Sequence, residues 1–229
     1  MSRSVSVALT PAAIEDLSGA TALVIDALRA TTTLTHAFAN GLAAVSACAT
    51  VEEARAEHAR RPGSLIGGEQ GGITVPGFDL GNSPAEYAAE RVRGKHLVFV
   101  SSNGSRALVA ARGARHVMPA AFVNAAAVVE RAARASRVVV VCAGRDRRFS
   151  LEDTACAGLL ARRLIERGFV VDGAGARVAL ALAPADGAEV GAILASTDHG
   201  RELLRLGGEF ARDVERAAAL DSIHLAQEI

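Results

Sequence analysis

Aromatic residues are almost missing from this chain. Tryptophan is absent, tyrosine occurs once, and Phe, Trp and Tyr together make up 3% of the 229 residues. Few ring faces remain on which the bases of a single strand could stack. Net charge is missing too, with Lys and Arg totalling 25 and Asp and Glu totalling 25. Without a basic excess there is no electrostatic footprint for a phosphate backbone, and no nucleic-acid partner is expected. No window approaches the roughly 18 uninterrupted apolar residues of a membrane span. The opening residues, Met1-Ser-Arg-Ser-Val-Ser6, lack the apolar core of a secretory leader, so no membrane partner is expected. Cysteine is scarce. Cys48, Cys142 and Cys156 are odd in number and show no C-x-x-C spacing, which excludes a disulfide framework or zinc knuckle and points to a reduced, cytoplasmic setting. Lysine is reduced to Lys95. Positive charge therefore sits on arginine, whose planar fork suits phosphate or sulfonate, although codon bias gives the same composition.

What is present is a globular composition, 50% hydrophobic and 22% charged, with enough length for a sizeable core. One theme recurs: a short β-branched run, a polar or Gly-containing loop, then an Ala/Leu helix. Thr21–Asp26 leads through Ala27–Thr33 into a helix that stops near Asn40-Gly41. His96–Val100 leads through Ser101–Ser105 into a helix reaching Arg112-Gly113. Val138–Cys142 leads through Ala143–Arg148 into a long helix from Leu151 to Gly168. Apolar runs separated by helices predict strands covered on both faces, hence an α/β fold with a largely parallel sheet. The expected organisation is one compact unit over residues 1–229, with two similar α/β halves at about 1–115 and 116–229.

One segment breaks the theme. Seven glycines fall between Gly63 and Pro84. The interspersed Ile73, Val75, Phe78 and Leu80 favour an ordered loop, since a linker would be more polar. Asn82-Ser83-Pro84 reads as a helix start, a capping side chain followed by Pro.

The polar residues gather where a parallel sheet puts its ligands, beyond the carboxyl ends of strands. Asp26, Arg29 and Thr31-Thr32-Thr33 lie at the first such end. Arg29, the hydroxyls and free N–H groups suit an anion there, and Asp26 suits a cation; the same residues also read as an ordinary cap and helix start. Ser101-Ser102-Asn103-Gly104-Ser105-Arg106 is equally a turn or an anion cradle. Cys142 followed after five residues by Arg148 has the spacing of cysteine-dependent phosphatases, whereas a strand-end Cys is more often buried and inert. Ser150 with Asp153 is a capping box, so Glu152 and Asp153 read either as favourable charge at a helix start or as a metal or acid–base pair. Asp26, Glu69, Asp79, Glu152 and Asp153 would together form an oxygen set for Mg²⁺ if their loops converge. The six histidines show neither H-x-H nor H-E-x-x-H spacing.

Five blocks together resemble the 2-phosphosulfolactate phosphatase family of coenzyme M biosynthesis. They are Val24-Ile-Asp-Ala-Leu-Arg-Ala-Thr-Thr-Thr33 with Ala39-Asn-Gly41; Gly67-Gly-Glu-Gln-Gly-Gly72 with Pro76-Gly-Phe-Asp-Leu-Gly-Asn-Ser-Pro84 and Glu86-Tyr87; Ser102-Asn-Gly-Ser-Arg-Ala-Leu108; Cys142-Ala-Gly-Arg-Asp-Arg-Arg-Phe-Ser-Leu-Glu-Asp-Thr154 with Cys156-Ala-Gly158; and His199-Gly200 with Leu203, Leu206-Gly207 and Asp213. The resemblance implies a three-layer α/β/α fold of two similar halves. It also implies Mg²⁺-dependent hydrolysis of (R)-2-phospho-3-sulfolactate to 3-sulfolactate and phosphate.

On that basis the expected catalytic residues are Asp26, Glu152, Asp153 and Cys142. The expected substrate contacts are Arg29, Thr31, Thr32, Asn82, Ser102, Asn103, Gly104, Arg106, Arg145 and Arg148. Asp26, Glu69, Asp79 and Glu152 are the expected Mg²⁺ ligands. A small phosphorylated anion is the expected substrate, and a homodimer the expected assembly. Two other readings stay open. One is a phosphatase of another small phosphorylated acid using Cys142 as nucleophile. The other is a non-catalytic anion-binding relative, suggested by Gln70 where the family commonly carries a basic residue.

Overall fold

The computed structural model describes residues 3–229. Its elements in chain order are β1 (Ser4–Ala8), β2 (Thr21–Ile25), α1 (Ala30–Ala39), β3 (Ala44–Cys48), α2 (Val51–Arg60), β4 (Leu65–Gln70) and β5 (Ile73–Thr74). There follow α3 (Ala89–Val92), β6 (His96–Val100), α4 (Gly104–Ala110), β7 (His116–Ala120), α5 (Ala125–Ala132) and β8 (Arg137–Cys142). The chain closes with α6 (Leu151–Ile165), β9 (Val170–Asp172), α7 (Gly173–Ala181), α8 (Gly187–Ser196), α9 (Asp198–Leu206) and α10 (Gly208–Ala218). The Gly-rich segment is ordered. It forms β4, β5 and, from Pro84 as its capping pattern predicts, the short 3-10 turn Pro84–Glu86.

The strands form two sheets. The first is wholly parallel, in the order β7-β2-β8-β1-β9. The second runs β3-β6-β4-β5, parallel except for the β4–β5 hairpin. Apolar runs record burial on both faces but not which neighbour a strand pairs with, so the sequence pattern does not separate one sheet from two. The strand-bearing halves are not segregated either. β1 and β2 from the first half complete the sheet of β7, β8 and β9 from the second.

Alternation along the strands sets the layers. Leu23 and Ile25 of β2, with Val138, Val140 and Cys142 of β8, face the core beneath α5, α6 and α7. Ala22 and Val24, with Val139 and Val141, face the opposite core, shared with α1, α4 and residues Leu97 and Phe99 of the second sheet. Helices thus cover both faces of the parallel sheet, the expected α/β/α arrangement. α2 closes the far side of the second sheet through Ala54, packed on Ile66, Val98 and Val100. The helices α8, α9 and α10 pack on one another, and α10 also reaches the Pro84–Glu86 turn. Among the described residues no helix is long and apolar enough to cross a membrane.

Candidate active site

Four loops meet where the strands end. β2 delivers Asp26, the end of β4 delivers Glu69, β6 delivers Ser102 and Asn103, and β8 delivers Arg145 and Asp146. Together with Arg29, Asn82 and residues of α9 and α10 they line a cleft of about 500 Å³. Two glycines make the convergence possible. A methyl group on Gly68 would lie 1.7 Å from the Val100 carbonyl oxygen, so only glycine lets β4 approach β6 just before Glu69. A methyl on Gly104 would lie 2.6 Å from both Asp26 Oδ2 and Ala30 Cβ. Gly104 thus admits the start of α4 to Asp26, although it does not itself line the cleft.

The carboxylates are buried and differently satisfied. Glu69 accepts hydrogen bonds from the Ser102 N–H (2.7 Å), the Ser102 hydroxyl (3.0 Å) and the Gly72 N–H (2.7 Å). Asp153 accepts from the Ala27 N–H at 2.9 Å and the Gly144 N–H at 3.0 Å, tying the β2 and β8 loops together. The expected capping box therefore forms by half. Ser150 Oγ accepts from the Asp153 N–H at 3.2 Å, but both Asp153 oxygens are engaged by the other two loops. Burial, then the charge of Glu69, pushes the Asp26 carboxyl up to about 8, with Glu152 adding to the rise and N–H groups of Ala30 and Gly104 opposing it. Burial also raises Glu152, and burial with Asp26 and Glu152 raises Asp153. Crowded acids in a dry site are an arrangement that ordinary folding stability disfavours.

The cations facing them are fixed. Arg29 Nη1 donates to Asp213 Oδ2 at 2.8 Å, and its guanidinium lies 5.0 Å from the Phe210 ring centroid. Arg145 pairs with Glu202 of α9. Asn103 Oδ1 accepts from the Asp146 N–H at 3.1 Å, bridging the β6 and β8 loops. His199 of α9 lines the cleft, with Nδ1 3.8 Å from Glu152 Oε1. Burial, then Arg145 and Arg29, lowers its pKa to about 4, so it is neutral at neutral pH.

Other expected residues lie elsewhere or do other work. The Thr31 hydroxyl is shared by the Asp26 and Ala120 carbonyls, and the Thr32 hydroxyl donates to the Ala27 carbonyl, so both hold backbone rather than face the cleft. Asp79 is exposed and does not line the cleft; its carboxylate accepts from the Ile66 N–H at 3.0 Å. Arg148 is exposed outside the cleft, with its backbone closing a tight turn on Arg145. Arg106 donates to the Ala49 carbonyl and lines a neighbouring cavity beyond Asn103. Cys142 is fully buried in the core under α6, and burial pushes its thiol well above the ordinary value. A group held in that state does not supply the thiolate that a nucleophilic mechanism needs. Gln70 is exposed at the β4–β5 hairpin, outside the cleft lining.

A profile of the 2-phosphosulpholactate phosphatase family matches residues 8–229. The chain belongs to the 2-phosphosulfolactate phosphatase family. A relative from Deinococcus radiodurans is 44% identical over 208 residues, covering 89% of this chain and 85% of its own length. One from Carboxydothermus hydrogenoformans is 37% identical over 225 residues, covering 98% and 92%. One from Thermotoga petrophila is 40% identical over 195 residues, covering 85% and 82%. All three are named as a probable 2-phosphosulfolactate phosphatase. The family match includes α9 and α10, which bring His199, Glu202 and Phe210 to the cleft and Asp213 to a smaller cavity beside it. His199-Gly200 and Asp213 carry part of the resemblance in the sequence, yet no role follows from them there. Their place at the site depends on helices folding back across the strand ends, which local pattern does not encode.

Among the described residues no group of three or more His, Cys, Asp or Glu side chains forms a ready metal cage. The donor chemistry nevertheless fits a hard cation. Asp26 and Glu69 are buried carboxylates on the same cleft wall, and their mutual repulsion is part of what raises Asp26.

Proposed function

We propose that the chain is a Mg²⁺-dependent phosphatase that hydrolyses (R)-2-phospho-3-sulfolactate to 3-sulfolactate and inorganic phosphate. One observation carries the reading. Buried acids and two guanidiniums share one cleft at the carboxyl ends of the strands, within a chain of this family. A substrate bearing phosphate, sulfonate and carboxylate would meet Glu69, and Asp26 once it ionises, as negative charge unless a cation stood between them. Asp26 and Glu69 are the residues that would hold Mg²⁺. The ion would neutralise phosphoryl oxygens as charge redistributes in the transition state.

The chain's own residues do the rest. Arg29 offers its guanidinium to the phosphoryl group, and Arg145 offers a second cation to the sulfonate end. Asn82, Ser102 and Asn103 border the same space and orient the substrate. Water adds to phosphorus as the bond to the 2-oxygen breaks; one water hydrogen stays on the phosphate and the other returns Glu152 to its acid form. Glu152, whose carboxyl burial pushes above its ordinary value, is the acid assigned to give a proton to the departing oxygen. Asp153 is a positioning residue, because both of its oxygens are committed to backbone N–H groups.

The deciding experiment is phosphate release from 2-phosphosulfolactate and from 2-phospholactate, each with Mg²⁺ and with excess chelator. Mg²⁺-dependent turnover favouring the sulfonate is the expected result. Equal turnover of both substrates would remove the sulfonate from the reading, and full activity in chelator would remove the metal. A folded protein that turns over neither would be a binding-only relative or would act on another phosphorylated acid.

A further inference from the structure

Asp213 sits on α10 with its side chain wholly shielded from solvent. It lines not the main cleft but only a smaller cavity beside it, next to Arg29 and Ser83. Its two oxygens collect three donors. Oδ2 accepts from Arg29 Nη1 at 2.8 Å, and Oδ1 accepts from the Ser83 hydroxyl at 2.7 Å and Arg216 Nη1 at 2.9 Å. Ser83 follows Asn82, a cleft residue. One buried carboxylate from the C-terminal helices thus anchors two cleft walls contributed by the N-terminal half.

Arg29 is held from three sides. Besides Asp213, it has the Phe210 ring against its guanidinium and the Gly72 carbonyl 3.5 Å from Nη2. A guanidinium has five N–H donors, so most of the fork has no partner among the described residues while its carbon is clamped. An unclamped arginine would lose rotamer entropy on gripping an anion; a clamped one has lost it already. We propose that Asp213 is a positioning residue that, together with Phe210, aims the Arg29 guanidinium at an anionic group of the substrate. The proposal rests on the phosphatase reading in taking Arg29 as the anion contact. It adds a carboxylate that never touches substrate to the binding machinery.

The test uses the full-length protein with Mg²⁺ and inorganic phosphate as the probe, with affinity measured by calorimetry. Asp213→Asn weakens phosphate binding on the order of 10–100-fold, the loss typical when a partner that orients a ligand-binding side chain is removed. In an Arg29→Ala background the same change has no further effect, because Asp213 acts through Arg29. Asp213→Glu separates charge from packing. If the negative charge aims Arg29, Glu retains more phosphate affinity than Asn does. If the residue only fills space, the isosteric Asn is the milder change. Unchanged affinity in folded Asp213→Asn, additive losses in the double variant, or Asn outperforming Glu would each overturn the proposal. Should Asp213→Asn not fold, the Glu variant and Ser83→Ala, which removes one of the three donors, carry the same cycle. Phosphate release from 2-phosphosulfolactate by the wild type is measured alongside. Its absence would count against the phosphatase reading alone, because the phosphate-binding cycle still reports on Asp213. A wild type that binds no phosphate would overturn the role assigned to both residues.

Discussion

Replacing Asp26 by Asn should change how stability depends on pH more than it changes stability itself. Burial and the neighbouring acids carry the Asp26 pKa from 3.8 to about 8 in the folded protein. Between those values the folded chain keeps a proton that the unfolded chain has lost. Stability is then fully present below about pH 4 and falls as pH rises toward 8, by about 1.4 kcal/mol per pH unit for one proton. From pH 5 to pH 8 this amounts to on the order of 4 kcal/mol in metal-free protein. Asn keeps the size but has no proton to lose, so this slope disappears. His199 works in the opposite direction, since its pKa falls from 6.5 to about 4 and it adds stability as pH rises between those values. That contribution is common to both proteins and cancels in their difference, whereas the part of the Asp153 rise that Asp26 causes is lost with it and adds to the same crossing. At pH 5 the variant is the less stable of the two by about 1 kcal/mol, the value of one hydrogen bond that an amide cannot accept. At pH 8 it is the more stable. Urea unfolding in chelator at half-unit pH intervals reads both curves, which should cross. Parallel curves would refute the idea that Asp26 is a protonated, crowded carboxyl.

Three further outcomes follow from the same geometry. Mg²⁺ at a hundredfold excess over its dissociation constant should stabilise the wild type by about 2.7 kcal/mol; calorimetric melting should show this gain lost in Glu69→Gln, and an equal gain there would take Glu69 out of the donor set. Gly104→Ala should cost about 1–3 kcal/mol, as overpacking does, and abolish phosphate release, because the new methyl meets Asp26 and Ala30 at 2.6 Å; urea unfolding beside an activity assay checks both. Cys142→Ser should release phosphate at the wild-type rate while losing about 1–3 kcal/mol for burying a hydroxyl in an apolar core. Loss of turnover in that folded variant would restore the thiol to the mechanism.

The sequence was most informative where one short stretch decides the structure. His96–Val100 is a strand over the expected residues, Leu151 opens the long helix, and Pro84 opens its turn because its ring suits a first helical position. Asp26, Arg29, Glu69, Asn82, Ser102, Asn103 and Arg145 reach one cleft because each sits at or just after a strand end, or in the loop that closes over it. The Thr31 and Thr32 hydroxyls donate to backbone carbonyls, and helix-start hydroxyls look the same in the sequence whether they face a ligand or a backbone carbonyl. Asp79 braces the Ile66 N–H outside the cleft, a task that a carboxylate in a Gly-rich loop shares with metal binding in the sequence pattern. The division into two sheets and the return of α9 and α10 over the strand ends depend on contacts between distant segments, which no local period reports.

The Arg29–Asp213 pair also has a consequence for how the protein comes into being. Its members are 184 residues apart, so on the ribosome Arg29 is made long before the carboxylate that holds it. β1 and β2 likewise wait for β8 before their sheet can close. Domains generally fold as units during synthesis, the N-terminal part first, but here the first half cannot finish alone. The cleft is therefore complete only once α9 and α10 are in place, and a growing chain that lacks them carries its acids and arginines without the scaffold that makes them a site.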